Sequence, residues 1–168
     1  MRLAPVAISY WNNADARRRA AAEQSRTTHA AAEAVDSCVA YADLIAEAIS
    51  GVSRAEILQP RSSSYAPRVQ EILAGSWRGK KRDAVHSSGY VIHSLEAALW
   101  SIGRKGDFAS AVLTAANLGE DADTTAAIAG QLAGALYGVS GIPHEWLKKL
   151  AWRTDLERVG GKLSALSS

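Results

Sequence analysis

Residues 31–49 read AAEAVDSCVAYADLIAEAI, and within them Val35, Val39, Ala42, Ala46 and Ile49 recur at steps of three and four. That spacing puts all five on one side of a helix, the side that must meet other protein. Cys38 lies beside the stripe and reads as a small core residue, and Gly51 supplies the stop. Helical patterning continues on both sides. Upstream, residues 14–24 are rich in Ala and Arg without Gly or Pro, which predicts a helix. Ser25-Arg26-Thr27-Thr28-His29 breaks it with residues that favour caps and turns. The run Arg17, Arg18, Arg19 reads as a solvated face of that helix.

Downstream, Ser53 and Glu56 have the spacing of a capping box, so a short helix starts there and ends before Pro60. Arg61 to Ser64 reads as a loop, and a brief helix from Arg68 to Leu73 stops at Gly75. Residues 76–88, with Trp77, Gly79 and four basic residues, read as a surface loop. From Tyr90 to Ile102 the residues Val91, Leu95, Ala98, Leu99 and Ile102 keep helical spacing, with Gly103 closing the helix. Asp107 caps another helix through Asn117, a further helix runs from Thr124 to Tyr137, and Pro143 opens a last pair through Leu150 and Lys162. No segment alternates apolar and polar residues beside hairpin signals. The expected class is all-α, a compact multi-helix bundle.

At 168 residues the chain suits one domain, 1–168, with a core that needs no disulfide or metal staple. It is 48% hydrophobic and 21% charged, outside the composition of disordered chains. A net charge of +2 removes the simplest case for nucleic acid, which needs a concentrated basic face. The single cysteine cannot form an internal disulfide, so a cytoplasmic setting is the default. The apolar residues Leu3 to Ile8 are too few for a signal-peptide core. Residues 124–143 carry no charge, yet they are mostly Ala, Gly and Thr with Gln131 near the middle. They read as a buried helix rather than a membrane span.

Chemistry concentrates at Asn117-Leu118-Gly119-Glu120-Asp121-Ala122-Asp123-Thr124. In an extended approach to the next helix, residues two apart point to the same side, so Asp121, Asp123 and the Thr124 hydroxyl converge. Such hard oxygen donors select Mg²⁺, Mn²⁺ or Ca²⁺. The plainer alternative has Asp123 capping the helix and Asp121 facing water. Behind the loop, Gly130, Gly134 and Gly138 recur every four residues. Because interior glycines weaken a helix, the stripe argues for a central, tightly crossed helix that holds the acidic loop rigid.

The run Leu118 to Gly130, LGEDADTTAAIAG, resembles the C-terminal metal motif of the ADP-ribosylglycohydrolase family, whose members include the enzyme that removes ADP-ribose from dinitrogenase reductase. Three further stretches agree in order: Met1-Arg2-Leu3-Ala4-Pro5, Ser25-Arg26-Thr27-Thr28-His29, and Ser87-Ser88-Gly89-Tyr90-Val91 with the helix that follows. The similarity covers residues 1 to about 155. It implies an all-α fold around a binuclear Mg²⁺ or Mn²⁺ centre that hydrolyses the glycosidic bond joining ADP-ribose to a protein side chain or small acceptor. By position, Asp121, Asp123 and Thr124 correspond to metal ligands, and His29, Gly89 and Tyr90 to the ADP-ribose pocket. On the residues alone, His29 also reads as a turn residue and Tyr90 as core packing.

Against the family pattern, the chain opens at the methionine of Met-Arg-Leu-Ala-Pro, where members carry an upstream Thr-Asp-Asp motif. Two Mg²⁺ bring +4 and Asp121 with Asp123 bring −2, so a two-metal centre needs further carboxylates. The expectation is a C-terminal portion of the fold, without its N-terminal helices, that pairs with a separate N-terminal half or with itself. The alternative function is an inactive ADP-ribose-binding or structural fragment. No residue stands out as a general base.

Overall fold

In the computed structural model, which describes residues 1–104 and 106–166, the regular structure is helical and no strand occurs among the described residues. Ten α-helices follow in order: α1 Ala4–Ser9, α2 Ala14–Arg26, α3 Ala32–Ile49, α4 Arg54–Ile57, α5 Pro67–Leu73, α6 Val91–Arg104, α7 Phe108–Ala116, α8 Ala122–Tyr137, α9 His144–Lys149 and α10 Arg153–Ala165. The centre is α3, α6 and α8 packed on one another, with α7 against α6 and α8, α2 along α3, and α1 between α3 and α10. Val35, Val39, Ala42 and Ala46 of α3 are buried as the stripe requires, and Ile49 packs at its edge. None of the helices is long and apolar enough to cross a membrane among the described residues.

Local signals set most boundaries. Asn13 caps α2, Ser53 and Glu56 form the capping box of α4, and Asp107 accepts from the Ser110 amide at the start of α7. Elsewhere packing overrides the sequence signal. Residues 4–9, which carry no distinct periodicity, form α1 with Pro5 in its first turn. Helix α2 runs on to Arg26 because Ser25 is buried and its hydroxyl donates to His29 O.

The expectation that the three arginines are solvated fails at Arg17. Its side chain is 8% exposed and pairs with Asp43 at 2.9 Å, and it also donates to Tyr10 O and Trp11 O. A buried guanidinium persists only when partners of this kind surround it. Arg18 meets the other Asp43 oxygen at 2.8 Å, and this pairing raises the Arg18 pKa further.

Gly103 does not close α6 but lies inside it. A Cβ there would sit 2.4 Å from Cζ3 of Trp77, so the glycine makes room for a buried indole. Arg54 then completes the helix end, donating to Ile102 O and Gly103 O at 2.8 Å. Residues 76–88 are correspondingly not a plain surface loop, because Trp77, Val85 and Ser87 are buried.

The glycine stripe of α8 also has a different setting from the one expected. Gly130 and Gly134 face Val112 and Phe108 of α7, and a Cβ would meet those side chains at 3.8 and 4.0 Å, ordinary contact distances. The buried side of α8 is Thr125, Ala129, Leu132 and Ala133, while Ala127 is exposed. Tyr41 of α3 ties this side down, its hydroxyl donating to Ile128 O at 2.7 Å.

Candidate functional site

The chain reverses between α7 and α8 over Asn117 to Asp121. Leu118 is buried as the anchor, and Gly119 and Glu120 then take φ of 82° and 53°. Two consecutive left-handed residues turn the backbone sharply, at no cost for Gly119 and with strain at Glu120. The segment before α6 holds this reversal. Ser87, fully buried, donates from Oγ to Gly119 O at 2.5 Å and accepts the Asp121 amide on its own carbonyl at 3.1 Å. The hydroxyl of Thr125, also fully buried, approaches the same carbonyl at 3.5 Å. Arg82 donates to Asn117 O at 3.1 Å and also to Leu118 O. Together these bonds splint residues 117–121 against residues 82–89.

Helix α8 starts at Ala122, two residues earlier than the sequence suggests, so Asp123 and Thr124 lie inside its first turn. The alternation argued for an extended approach does not apply there, because helical residues two apart diverge. Asp121 occupies the N-cap position with φ −89° and ψ 58°, and its side chain makes no capping bond. Nor does Asp123 cap the helix. Asp121 is half-buried, Asp123 exposed and Thr124 half-buried. The Asp121 carboxylate lies over Gly89, where a Cβ would stand 3.6 Å from Oδ2.

The chemistry of this donor set suits a hard divalent cation: two carboxylates and a hydroxyl at the positive end of a helix dipole, with no hydrogen-bond donor claiming either carboxylate among the described residues. The set does not enclose an ion. No group of three His, Cys, Asp or Glu side chains able to hold a metal occurs among the described residues. By donor type alone the residues present fit a hard divalent cation, as part of a ligand set.

Beside Gly89, Tyr90 is 36% exposed and is not a core residue. Its hydroxyl donates to Glu33 of α3 and accepts from Arg68 of α5 at 3.3 Å, and the Arg68 guanidinium stands 5.9 Å from the ring centroid. The bond to Glu33 is the main cause that raises the Tyr90 phenol above its ordinary pKa. His93 meets the Tyr90 ring edge-on at 5.2 Å, and its Nδ1 lies 2.8 Å from Ser88 Oγ. His86 lies 5.2 Å from His93, with Nδ1 3.6 Å from Glu120 Oε1. These contacts join the Tyr90 and Asp121 loops into one surface.

His29 sits apart from that network. Its ring bonds Thr28 Oγ1 of its own turn at 2.9 Å, and Arg2 donates to the same hydroxyl at 3.3 Å. Its link to Tyr90 is through sequence, four residues before Glu33. Reasoning from sequence passed over Ser87, Glu33, Arg68, His86 and His93. A signal existed for two of them, since half of the chain's 4 histidines flank Gly89-Tyr90.

Comparison with known proteins identifies the family of the chain. Residues 1–168 match the profile of the family described as ADP-ribosylglycohydrolase. The chain is 45% identical to the ADP-ribosylarginine hydrolase Tri1 of Pseudomonas putida, over 97% of its own length and 44% of that protein's. It is 42% identical to the ADP-ribosyl-[dinitrogen reductase] glycohydrolase of Rhodospirillum rubrum, over 42% of its own length and 24% of that protein's. A solved structure titled ADP-ribosylglycohydrolase-related protein complex superposes with a TM-score of 0.88 at 36% identity, covering 99% of this chain and 59% of that one. The chain thus spans less than half the length of the curated relatives named here.

Proposed function

Because the chain belongs to the ADP-ribosylglycohydrolase family, we propose that it serves in metal-dependent hydrolysis of the glycosidic bond between ADP-ribose and a protein side chain, with arginine as the linked residue. The acceptor follows the name of the Pseudomonas relative. The observation that carries the reading is the Ser87 splint, which keeps the Asp121 carboxylate over Gly89, next to an exposed aromatic ring. Asp121, Asp123 and Thr124 would hold Mg²⁺ or Mn²⁺, which when bound supplies positive charge to orient ribose hydroxyls and to activate water. The braced ring of Tyr90 offers a face for stacking, and Gly89 leaves the backbone bare for close approach of the ADP-ribose. His29 supplies a polar group at the turn that leads into α3. A two-metal centre needs more carboxylates than Asp121 and Asp123, so turnover calls for residues from outside the described set. That shortfall also favours a second reading, an ADP-ribose-binding portion that does not turn over without a complementary half.

Calorimetric titration tests the site. Asp121→Ala and Asp123→Ala should each weaken Mn²⁺ binding by tenfold or more, and Tyr90→Ala should weaken ADP-ribose binding with little effect on Mn²⁺. Unchanged Mn²⁺ affinity in both aspartate variants refutes the metal assignment. Release of free ADP-ribose from an ADP-ribosylarginine protein then separates the hydrolase from the binding reading.

A further inference from the structure

At the far end of α6 from Tyr90, a cavity of about 460 Å³ opens between α4 and residues 77–80. The helix has 14 residues at about 1.5 Å each, so the two ends lie about 20 Å apart. The cavity volume falls in the range of small-molecule sites. Four cations line it, Arg54, Arg78, Lys80 and Arg104, and no carboxylate does among the described residues.

The partners of these cations leave the charge largely in place. Lys80 is neutralised by the buried Glu96 at 2.6 Å. Arg54 donates to the α6 carbonyls Ile102 and Gly103, and Arg78 donates to Leu58 O. Bonds to carbonyls satisfy N–H groups, and the helix ends offset part of the charge, but neither removes a unit charge. Arg104 has no carboxylate partner among the described residues, and its guanidinium stacks over Trp100 at 4.8 Å. Arg78 stacks likewise over Trp77 at 5.1 Å. An indole under a guanidinium attracts the cation through its ring face, and the N–H groups of Arg104 stay available to a planar or tetrahedral oxyanion. Trp100 is itself fixed, donating from Nε1 to Lys80 O at 2.9 Å.

We propose that this cavity is a second, anion-binding site, separate from the Asp121–Tyr90 surface, and that it takes a small phosphate-bearing molecule carrying two or more phosphoryl groups. Three guanidinium groups without a carboxylate partner among the described residues, two of them already bonded to helix-end carbonyls, line one concave wall and match a diphosphate better than a single carboxylate. The short span of the depression, from α4 to the end of α6, suits a small ligand rather than an extended nucleic acid strand. The site stands independently of the glycohydrolase reading, because none of its residues belongs to that surface.

The test is calorimetry and thermal unfolding with pyrophosphate, against sodium chloride at matched ionic strength. Pyrophosphate at a hundredfold excess over its dissociation constant should raise the unfolding midpoint by about 5 °C or more. Arg104→Gln, at an exposed position, should weaken pyrophosphate binding at least tenfold while keeping the pyrophosphate-free midpoint, and Arg78→Gln should weaken it likewise with a small fall in that midpoint, because the α4 end loses its cation. Tyr90→Ala should leave the binding intact. The proposal is overturned if pyrophosphate binds no better than chloride, or if both arginine variants bind normally. It is overturned equally if binding disappears in Tyr90→Ala instead, or if a short oligonucleotide binds and pyrophosphate does not.

Discussion

Replacing Ser87 by alanine removes one oxygen from a site with no exposed surface. The deleted hydroxyl is the donor to Gly119 O at 2.5 Å, at the point where the chain turns into Asp121. Gly119 is itself exposed, so water can partly take the hydroxyl's place, and the loss is that of one net hydrogen bond, about 1–1.5 kcal/mol. No cavity term of consequence is added, because only a hydroxyl leaves. The backbone bond from the Asp121 amide to Ser87 O, 3.1 Å, survives, so the loop keeps its path but opens more often. A loss of about 1–1.5 kcal/mol corresponds to opening about 5–13 times more often. Hydrogen exchange at the Asp121 amide should accelerate by that factor, and the unfolding midpoint should fall by about 3–6 °C. Ser88→Ala is the control: its hydroxyl meets His93 rather than the acidic loop, and exchange at Asp121 should not change. If Ser87→Ala leaves Asp121 exchange within twofold of the parent, the splint does not hold the loop.

Two glycine substitutions should act in opposite directions. Gly103→Ala drives a Cβ to 2.4 Å from the buried Trp77 ring and should cost about 1–3 kcal/mol in denaturant unfolding, whereas Gly130→Ala meets Val112 at 3.8 Å and should stabilise by up to about 1 kcal/mol. Loss of stability in Gly130→Ala would show that a close partner lies on that side of α8. Burial pushes the Tyr41 phenol far above its ordinary pKa. A raised value in the folded state means that its contribution is complete below about pH 10 and is lost as pH rises further. Tyr41→Phe should therefore flatten stability against pH above 10, while costing about 1 kcal/mol at neutral pH because Ile128 O loses a donor. An unchanged alkaline profile in that variant excludes Tyr41 as its source.

The helices could be read from the sequence wherever one side alone is apolar, as in α3 and α6, or where a cap is covalently local, as at Ser53 and Asp107. Reading failed where a distant residue sets the outcome. Gly103 looks like a terminator until Trp77, far back in the chain, is seen to need the space. Arg17 looks solvated until Asp43 is brought across from the next helix. The acidic loop was legible as a place and not as a shape. Its residue types marked a hard-cation set, but the early start of α8 depends on Ser87, whose hydroxyl says nothing in sequence about Gly119. The brace on Tyr90 was hidden for the same reason, since Glu33 and Arg68 come from two other helices.

Residues 76–89 show how an irregular segment becomes rigid enough to serve a site. Apart from one 3-10 turn at Arg82–Ala84, they have no regular structure, so their shape comes from side chains that enter the core. Trp77 enters against Gly103, Val85 at the middle, and Ser87 beneath Gly119. Between these anchors the outward residues are cationic, and they are spent on helix ends: Arg78 on α4 and Arg82 on α7. Cations at helix C-termini stabilise the helix dipole there. One segment thus fixes the acidic loop at its C-terminal end and walls the cationic cavity at its N-terminal end, with α6 as the strut between them. A shift of the Trp77 anchor must be felt at the cavity directly, and at Asp121 only through Val85 and Ser87. The two surfaces are therefore separable by substitution, and Gly103→Ala should disturb Arg104 before it disturbs Asp121.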